Sequence, residues 1–69
     1  MFIIDYLQNY DHVQVIFISD DGLTMRYDDN GILNDIIHRA KDSMIAHNFS
    51  SVEIIDRMTQ DAIACIIRK

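Results

Sequence analysis

The chain of 69 residues contains no proline, no tryptophan, only two glycines and one cysteine. Proline and glycine interrupt helices and strands, so a chain this poor in them is expected to have short loops and mostly regular structure. Because Cys65 is the single cysteine, a disulfide within the chain is excluded. A small domain without disulfides is typical of a reducing compartment.

Long apolar runs and positive charge are also scarce. No apolar stretch approaches the ~20 residues that a membrane span requires, and Asp5 interrupts the apolar start before it resembles a signal peptide. Eleven acidic and six basic side chains give a formal net charge of −5. This charge argues against direct binding of nucleic acid or of an anionic membrane, since both attract Lys and Arg. Because the sequence shows neither a signal peptide nor a membrane span, we expect a cytoplasmic protein by default.

Apolar residues make up 49% of the chain, which is ordinary for a folded domain. We interpret residues 1–69 as a single domain. A domain of this size buries only ~60% of the surface that its unfolded chain exposes, so its core is marginal. Association with a second copy or with another protein would cover more apolar surface.

Two runs of β-branched and aromatic residues, 12–19 and 23–27, predict a first hairpin. Between them lies Asp21-Gly22, and an Asp-Gly pair in this position is a strong hairpin signal. A two-residue turn would set the register of the two strands. The resulting pairs are Ile18 with Met25 and Ile16 with Tyr27.

A helix is predicted over residues 31–47, because apolar residues recur there at spacings of three and four. These residues are Leu33, Ile36, Ile37, Ala40 and Met44. Asp28, Asp29 and Asn30 are expected to begin the helix, since their side chains accept hydrogen bonds from free backbone N–H groups. Asn48 is expected to cap the C-terminal end.

A second hairpin is predicted from residues 52–56 and 62–68, joined by residues 57–60. This loop length pairs Ile54 with Ile63 and Val52 with Cys65. Residues 2–10 fit either a short helix, through a stripe of Ile3, Leu7 and Tyr10, or a strand, and we favour the helix.

The predicted fold is therefore α+β. It is a four-stranded, mainly antiparallel sheet with one long helix packed on one face. The element order is (α)-β-β-α-β-β, in which the N-terminal segment is a short helix or an extra strand.

The predicted registers make the two faces of the sheet unequal. The clean apolar face, expected beneath the helix, carries Ile16, Ile18, Met25, Tyr27, Val52, Ile54, Ile63, Cys65 and Ile67. The other face is mixed, with Val13, Val15, Phe17, Ile55, Ala62, Ala64 and Ile66 beside Thr24, Arg26 and Glu53. Such a face is too apolar to lie open to water. Its expected cover is the N-terminal segment, a second copy of the chain or a foreign partner.

No constellation of residues predicts catalysis, a cofactor or a metal site. Asp20-Asp21 and Asp28-Asp29 are separated by about seven strand residues, roughly 20 Å at ~3.3 Å per residue, so they cannot share a cation. His38 and Asp42 share a helix face but supply only two ligands. Cys65 is expected in the core, where it lacks the exposed thiolate and the base that a nucleophile needs. We therefore predict that the protein is not an enzyme.

Exposed carboxylates and one methionine are the predicted partner-binding residues. They are Asp20, Asp21, Asp28, Asp29, Asp35, Asp42 and Met58. Asp35 is also expected to pair with Arg39 at i,i+4, and exposed methionine adapts well to partner surfaces. Acidic surfaces can occupy a basic nucleic-acid groove in competition with phosphate. The hypothesis is a protein–protein interaction module whose partner is a basic nucleic-acid-binding protein.

In size, acidity and lack of catalytic residues, the chain resembles the accessory proteins that viruses of bacteria use against host defence or transcription machinery. The resemblance implies an inhibitor, and no sequence motif carries it. The alternative is a homo-oligomeric structural or accessory protein, such as a homodimer, with the mixed sheet face buried between subunits. An enzyme or small-ligand binder is disfavoured, because a chain this short has little room for a pocket of ~300 Å³ beside its core.

Overall fold

A computed structural model describes residues 5–68. These residues form four strands and one helix in the order β-β-α-β-β. The elements are β1 (Asn9–Ile18), β2 (Thr24–Ile32), α1 (Leu33–Ala46), β3 (Ser51–Asp56) and β4 (Ala62–Ile67). All three strand pairings are antiparallel, in the spatial order β2-β1-β3-β4, and α1 packs on one face of the sheet. The predicted α+β fold is confirmed.

A short turn precedes β1. The N–H of Gln8 donates to the carbonyl of Asp5 at 3.2 Å, and the Asp5 carboxylate accepts the N–H of Leu7 at 3.0 Å. An aspartate side chain that bonds the nearby backbone in this way competes with helix formation. The predicted helix over residues 2–10 is therefore wrong where the structure describes it, and Ile3 lies outside the described residues.

The first turn of α1 obtains its hydrogen bonds from this N-terminal turn. The N-cap residue is Ile32, and no side chain caps the helix. The N–H of Leu33 donates to the carbonyl of Gln8 at 2.9 Å, and the N–H of Asn34 donates to the carbonyl of Tyr6 at 2.8 Å. Backbone carbonyls thus satisfy N–H groups that a capping side chain would otherwise serve.

Consequently, the predicted capping by Asp28, Asp29 and Asn30 is wrong. These residues continue β2, which extends to Ile32 before the chain turns directly into the helix. Sequence reasoning could not anticipate this, because the capping carbonyls come from a segment about 25 residues away, a separation at which local patterns carry no information.

The C-terminal end of α1 is a Schellman motif built around Asn48, whose φ is 59°. The N–H of Phe49 donates to the carbonyl of Met44 at 2.9 Å, and the N–H of Asn48 donates to that of Ile45 at 3.3 Å. Phe49 also packs against the core cluster that contains Met44, which is the apolar contact usual in this motif. The predicted C-terminal cap is confirmed.

The β1–β2 loop contains Asp21-Gly22 as predicted. It has three residues rather than two, because Asp20, Asp21 and Gly22 lie between the bonded pair Ser19 and Leu23. The N–H of Ser19 donates to the carbonyl of Leu23 at 2.9 Å, and Gly22 donates to the carbonyl of Ser19 at 3.1 Å. Gly22 has a φ of 88°, which is typical of a turn followed by a left-handed residue. The pairs are therefore Ile18 with Thr24 and Phe17 with Met25, one residue away from the prediction.

The β3–β4 loop has the predicted length, and Ile55 faces Ala62 as expected. A bulge then places Ile63 as an extra residue on β4. Beyond it the predicted pairs are wrong. The observed ones are Ile54 with Ala64, Glu53 with Cys65 and Val52 with Ile66.

These shifts decide which side chains form the core. Because successive strand residues point to opposite faces, a slip of one residue moves a strand's whole apolar set across the sheet. The fully buried residues include Val13, Val15 and Phe17 of β1 together with Val52 and Ile54 of β3. They pack beneath Ile36, Ala40 and Met44 of α1, with Tyr27, Ile63, Ala64 and Ile66 packed alongside.

The predicted positions of Tyr27, Val52, Ile54 and Ile63 on the helix side are confirmed. Those of Ile16, Ile18, Cys65 and Ile67 are wrong, because these side chains lie on the opposite face. Conversely, Val13, Val15, Phe17, Ala64 and Ile66 were expected on the mixed face and lie beneath the helix.

Candidate interaction surface

The sheet face opposite α1, called the open face here, has three complete rows of four side chains, with His12 beside Asp28 at one end. Strand register places them side by side. The rows across β2, β1, β3 and β4 are Thr24, Ile18, Ser51 and Ile67; Arg26, Ile16, Glu53 and Cys65; and Asp28, Gln14, Ile55 and Ala62. The open face is therefore mixed, as predicted. Thr24, Arg26, Glu53, Ile55 and Ala62 were expected there, whereas Ile16, Ile18, Cys65 and Ile67 were expected beneath the helix.

The apolar side chains of the open face lie along β1 and β4, with Ile55 of β3 between them. Ile16, Ile18 and Ile55 are half-buried, whereas Cys65 is exposed and Ile67 is 70% exposed. No second layer of structure lies over this face among residues 5–68.

The N-terminal segment was expected to cover this face with the stripe of Ile3, Leu7 and Tyr10, and two of these residues do not do so. Leu7 is 76% exposed, and Tyr10 packs against the core on the side of the sheet that carries α1. The third, Ile3, is not among the described residues.

The four strand and turn aspartates of the predicted set lie in separate places. Asp20 and Asp21 occupy the β1–β2 loop, at the opposite end of the hairpin from Asp28 and Asp29. Asp28 lies on the open face, 3.4 Å from the Nε2 of His12. Asp29 lies on the helix side of the sheet. The structure therefore does not gather these carboxylates into one site.

Asp20 and Asp21 both have structural partners in the loop. The hydroxyl of Ser19 donates to the carboxylate of Asp21, and this hydrogen bond is the main reason why the pKa of Asp21 lies below its ordinary value. The hydroxyl of Ser50 donates to the carboxylate of Asp20. These bonds join the loop to itself and to the start of β3.

Asp29 and Arg39 form the best-defined ion pair of the described residues. The Nε of Arg39 donates to Asp29 Oδ2 at 3.1 Å and its Nη2 donates to Asp29 Oδ1 at 3.1 Å. This pairing raises the pKa of Arg39. The predicted ion pair between Asp35 and Arg39 is wrong, because the guanidinium turns toward β2 instead.

Asp35 and Asp42 are exposed on the outer face of α1. Seven residues separate them, so they lie about two turns apart, roughly 10.5 Å along the axis. Neither carboxylate has a hydrogen bond or ion pair among the described residues. Of the predicted carboxylates, these two are exposed and bond no other group of the described residues.

Met58 lies in the β3–β4 loop and is 72% exposed. Its N–H donates to the carboxylate of Asp56 at 2.9 Å, which closes the turn and directs the thioether into solvent. The predicted exposure of Met58 is confirmed, although this loop lies apart from α1 in the element order.

Cys65 was expected in the core, and this expectation is wrong. The bulge at Ile63 turns Cys65 to the open face, where it is exposed. Within residues 5–68, no three His, Cys, Asp or Glu side chains come close enough together to hold a metal ion.

Sequence reasoning missed a shallow cleft of about 310 Å³ lined by Asp20, Asn48, Phe49, Ser50 and Arg68. Arg68 Nη1 donates to Asn48 Oδ1 at 2.6 Å, and Ser50 donates to Asp20. The polar groups of the cleft therefore bond one another. No local pattern signals this cleft, because its residues come from the β1–β2 loop, the end of α1 and the end of β4.

None of the described elements is a helix with the length and apolar character to cross a bilayer. The chain matches no protein family, no curated protein and no solved structure in any of the three comparisons made.

Proposed function

We propose that this protein is a small acidic interaction module that binds a basic surface on another protein and inhibits that protein by occupying the surface. One observation carries the proposal. Of the eleven acidic side chains, only Asp29 is paired with an arginine or lysine within the described residues, and Asp28 contacts the imidazole of His12. The other nine have no salt-bridge partner within 4.0 Å there, and with a net charge of −5 the chain carries a negative field that attracts and orients a positively charged partner.

The outer face of α1 is the part of this field best suited to contact. Asp35 and Asp42 stand on a helix of 14 residues held against the sheet by buried Ile36, Ala40 and Met44. Because the helix is packed along its inner side, the two carboxylates are presented at a fixed spacing. Lys and Arg side chains that normally hold phosphate groups would find comparable charge there.

A nucleic-acid-handling protein is the class of partner that this chemistry favours, because such proteins carry basic grooves by necessity. Inhibition then follows from occupation, since the groove cannot hold nucleic acid and the acidic module together. An accessory protein that a virus of bacteria directs against a host defence or transcription complex is the setting that we propose.

A competition experiment tests this function. Proteins of a bacterial lysate that bind heparin are incubated with the immobilised protein, with and without duplex DNA. We expect capture of a basic protein that is released by DNA and by moderate salt, because both screen or replace the carboxylates. A capture that DNA and salt leave unchanged, or no capture at all, would contradict the proposal.

Two variants assign the contact to α1. The double substitution Asp35→Asn and Asp42→Asn removes two charges without touching a described hydrogen bond, and it is expected to weaken capture at least severalfold. Lys41→Gln is the matched control on the same helix, because it removes a positive charge and should preserve or strengthen capture. Equal capture by all three proteins would place the contact elsewhere.

A further inference from the structure

The two edges of the sheet differ in chemistry. The edge strand β2 carries Arg26, Asp28 and Asp29, and charged side chains on an edge oppose pairing with another chain. The opposite edge strand, β4, reads Ala-Ile-Ala-Cys-Ile-Ile and has no charge, no glycine and no proline. Short β-prone segments of this composition pair readily with other strands.

The hydrogen-bond pattern shows which backbone groups of β4 face outward. The N–H of Arg68 donates to the carbonyl of Ser50 at 2.8 Å, continuing the register in which Ile66 faces Val52. In an antiparallel pair, residues alternate between those bonded to the neighbouring strand and those bonded away from it. The N–H and C=O groups of Cys65 and Ile67 therefore point away from β3, toward the free edge.

Side chains leave this edge accessible. Cys65 is exposed and Ile67 is 70% exposed, and among the described residues β4 pairs only with β3. An approaching strand can therefore reach both sets of outward backbone groups.

We propose that β4 pairs antiparallel with β4 of a second copy of this chain, so that two four-stranded sheets join into one sheet of eight strands around a two-fold axis. The charges at the two ends of β4 are the reason for proposing a second copy as the partner strand. Asp61 directly precedes β4 and Arg68 directly follows it, and both are exposed. An antiparallel copy brings the Asp61 end of one strand to the Arg68 end of the other, twice by symmetry, with only uncharged residues between.

The same constraint selects the register. Outward-facing residues must lie opposite outward-facing residues, so the two-fold axis passes beside Cys65 or Ile66. With the axis beside Cys65, the paired region includes the strand from Ala62 onward, and Asp61 of one copy lies diagonally beside Arg68 of the other. The axis beside Ile66 provides neither. In that register the two Cys65 Cα atoms lie ~5.5 Å apart. This interface involves β4 rather than the outer face of α1, so it stands independently of the acidic surface.

Light scattering after size exclusion, over a range reaching millimolar protein, tests the association. The wild type is expected to approach twice the 8.0 kDa mass of one chain. Ile67→Lys places a charge on the β4 edge, and Cys65→Pro removes an outward N–H without removing a bond to β3. Both should raise the dissociation constant about tenfold or more. Thr24→Lys, on the open face at the far edge, should leave it unchanged.

A charge exchange tests the pairing itself. Asp61→Arg and Arg68→Asp should each weaken the dimer, and the protein with both substitutions should regain it, because the complementary ends are restored. A short bis-maleimide should link two Cys65 thiols. It should not link a variant with Cys65→Ser and Thr24→Cys.

Three results would overturn the proposal. They are a wild type that remains a monomer at every concentration, a dimer that Thr24→Lys disrupts and Ile67→Lys does not, and a double exchange that fails to restore association in a protein whose circular dichroism shows that it is folded. The second result would assign association to the open face instead.

Discussion

Arg39 on the helix binds Asp29 on β2 through two parallel hydrogen bonds of 3.1 Å, and its Nη2 also donates to the carbonyl of Asn30 at 3.0 Å. The guanidinium therefore joins the middle of α1 to the end of the strand from which the helix emerges. The Asp29 side chain is 18% exposed and that of Arg39 is 50% exposed, so water screens the pair only in part. This contact limits rotation of the helix on the sheet.

We expect Asp29→Asn to lower the free energy of unfolding by about 1 kcal/mol, because a charge-assisted, two-point contact is lost. Asp35→Asn is the control and should change it by less than about 0.5 kcal/mol, since the pairing with Arg39 that the sequence predicted is not formed. Urea denaturation measures both. Arg39→Lys should resemble Asp29→Asn, because an ammonium cannot make the two-point contact. Equal effects of the two aspartate substitutions would contradict this assignment.

Neighbouring residues in β1 test the register of the sheet. Val15 is fully buried beneath α1, whereas Ile16 lies half-buried on the open face. Val15→Thr should cost about 1–3 kcal/mol, because it places an unpaired hydroxyl in the core. Ile16→Thr should cost less than about 1 kcal/mol, since its hydroxyl can reach water. The two-residue turn expected from sequence gives the opposite ranking, and thermal or urea unfolding distinguishes the two registers.

The β1–β2 loop depends on the left-handed conformation of Gly22, whose φ is 88°. No atom lies within 4 Å of a Cβ built at this position, so any cost of substitution comes from the backbone and not from collision. Gly22→Ala should destabilise by about 1–2 kcal/mol. Gly22→Asn should cost less, because asparagine adopts this conformation more easily. A Gly22→Ala variant as stable as the wild type would show that the loop can adopt another turn.

Acid sensitivity should appear at Asp21. The hydrogen bond from Ser19 lowers the pKa of Asp21 below its ordinary value of 3.8. Because the folded pKa is lowered, the ionised group favours the folded state above pH 3.8, and this contribution disappears as the pH falls through the folded pKa. Carboxyl NMR titration should show a low pKa for Asp21 that rises toward 3.8 in Ser19→Ala. An unchanged pKa in that variant would remove Ser19 as the cause.

Alkaline sensitivity should appear at Tyr27. Partial burial, followed by the charge of Asp29, raises the pKa of Tyr27 above its ordinary value of 10.0. The unfolded chain ionises first, so this group's contribution to stability is present below pH 10.0 and is lost as the pH rises toward the folded pKa. Phenolate absorbance should lose its latest-titrating component in Tyr27→Phe. Loss of an earlier component would contradict the assignment.

Predictions from local sequence patterns were confirmed where a single short segment determines the secondary structure. The apolar spacing of the helix predicted its extent to within two residues at the start and one at the end, and Asn48 predicted the Schellman motif. Exposure of Asp35, Asp42 and Met58 followed from the same local patterns. Asp-Gly predicted the position of the first turn but not its length.

Contacts between distant segments were not predictable in this way. The first N–H groups of α1 bond to the turn before β1, and Arg39 selects Asp29, ten residues away in sequence, over Asp35 on its own helix. The open face also differs from the expected one, because one extra loop residue reverses the orientation of β1 and one bulge reverses that of β4 beyond Ile63. For this reason Cys65 lies at the surface and not in the core, where it was predicted.

The amino-acid sequence by itself determined the number and order of the four strands, the helix and the positions of the two hairpin turns, and it made the chain acidic. Backbone dihedral preferences and apolar periodicity act over a few residues, so one chain segment contains enough information to set them. Tertiary structure alone decided which side of each strand faces the helix and which carboxylate holds Arg39. Two- and three-residue turns are both readily formed, and the choice between them depends on how Val13, Val15 and Phe17 pack against α1.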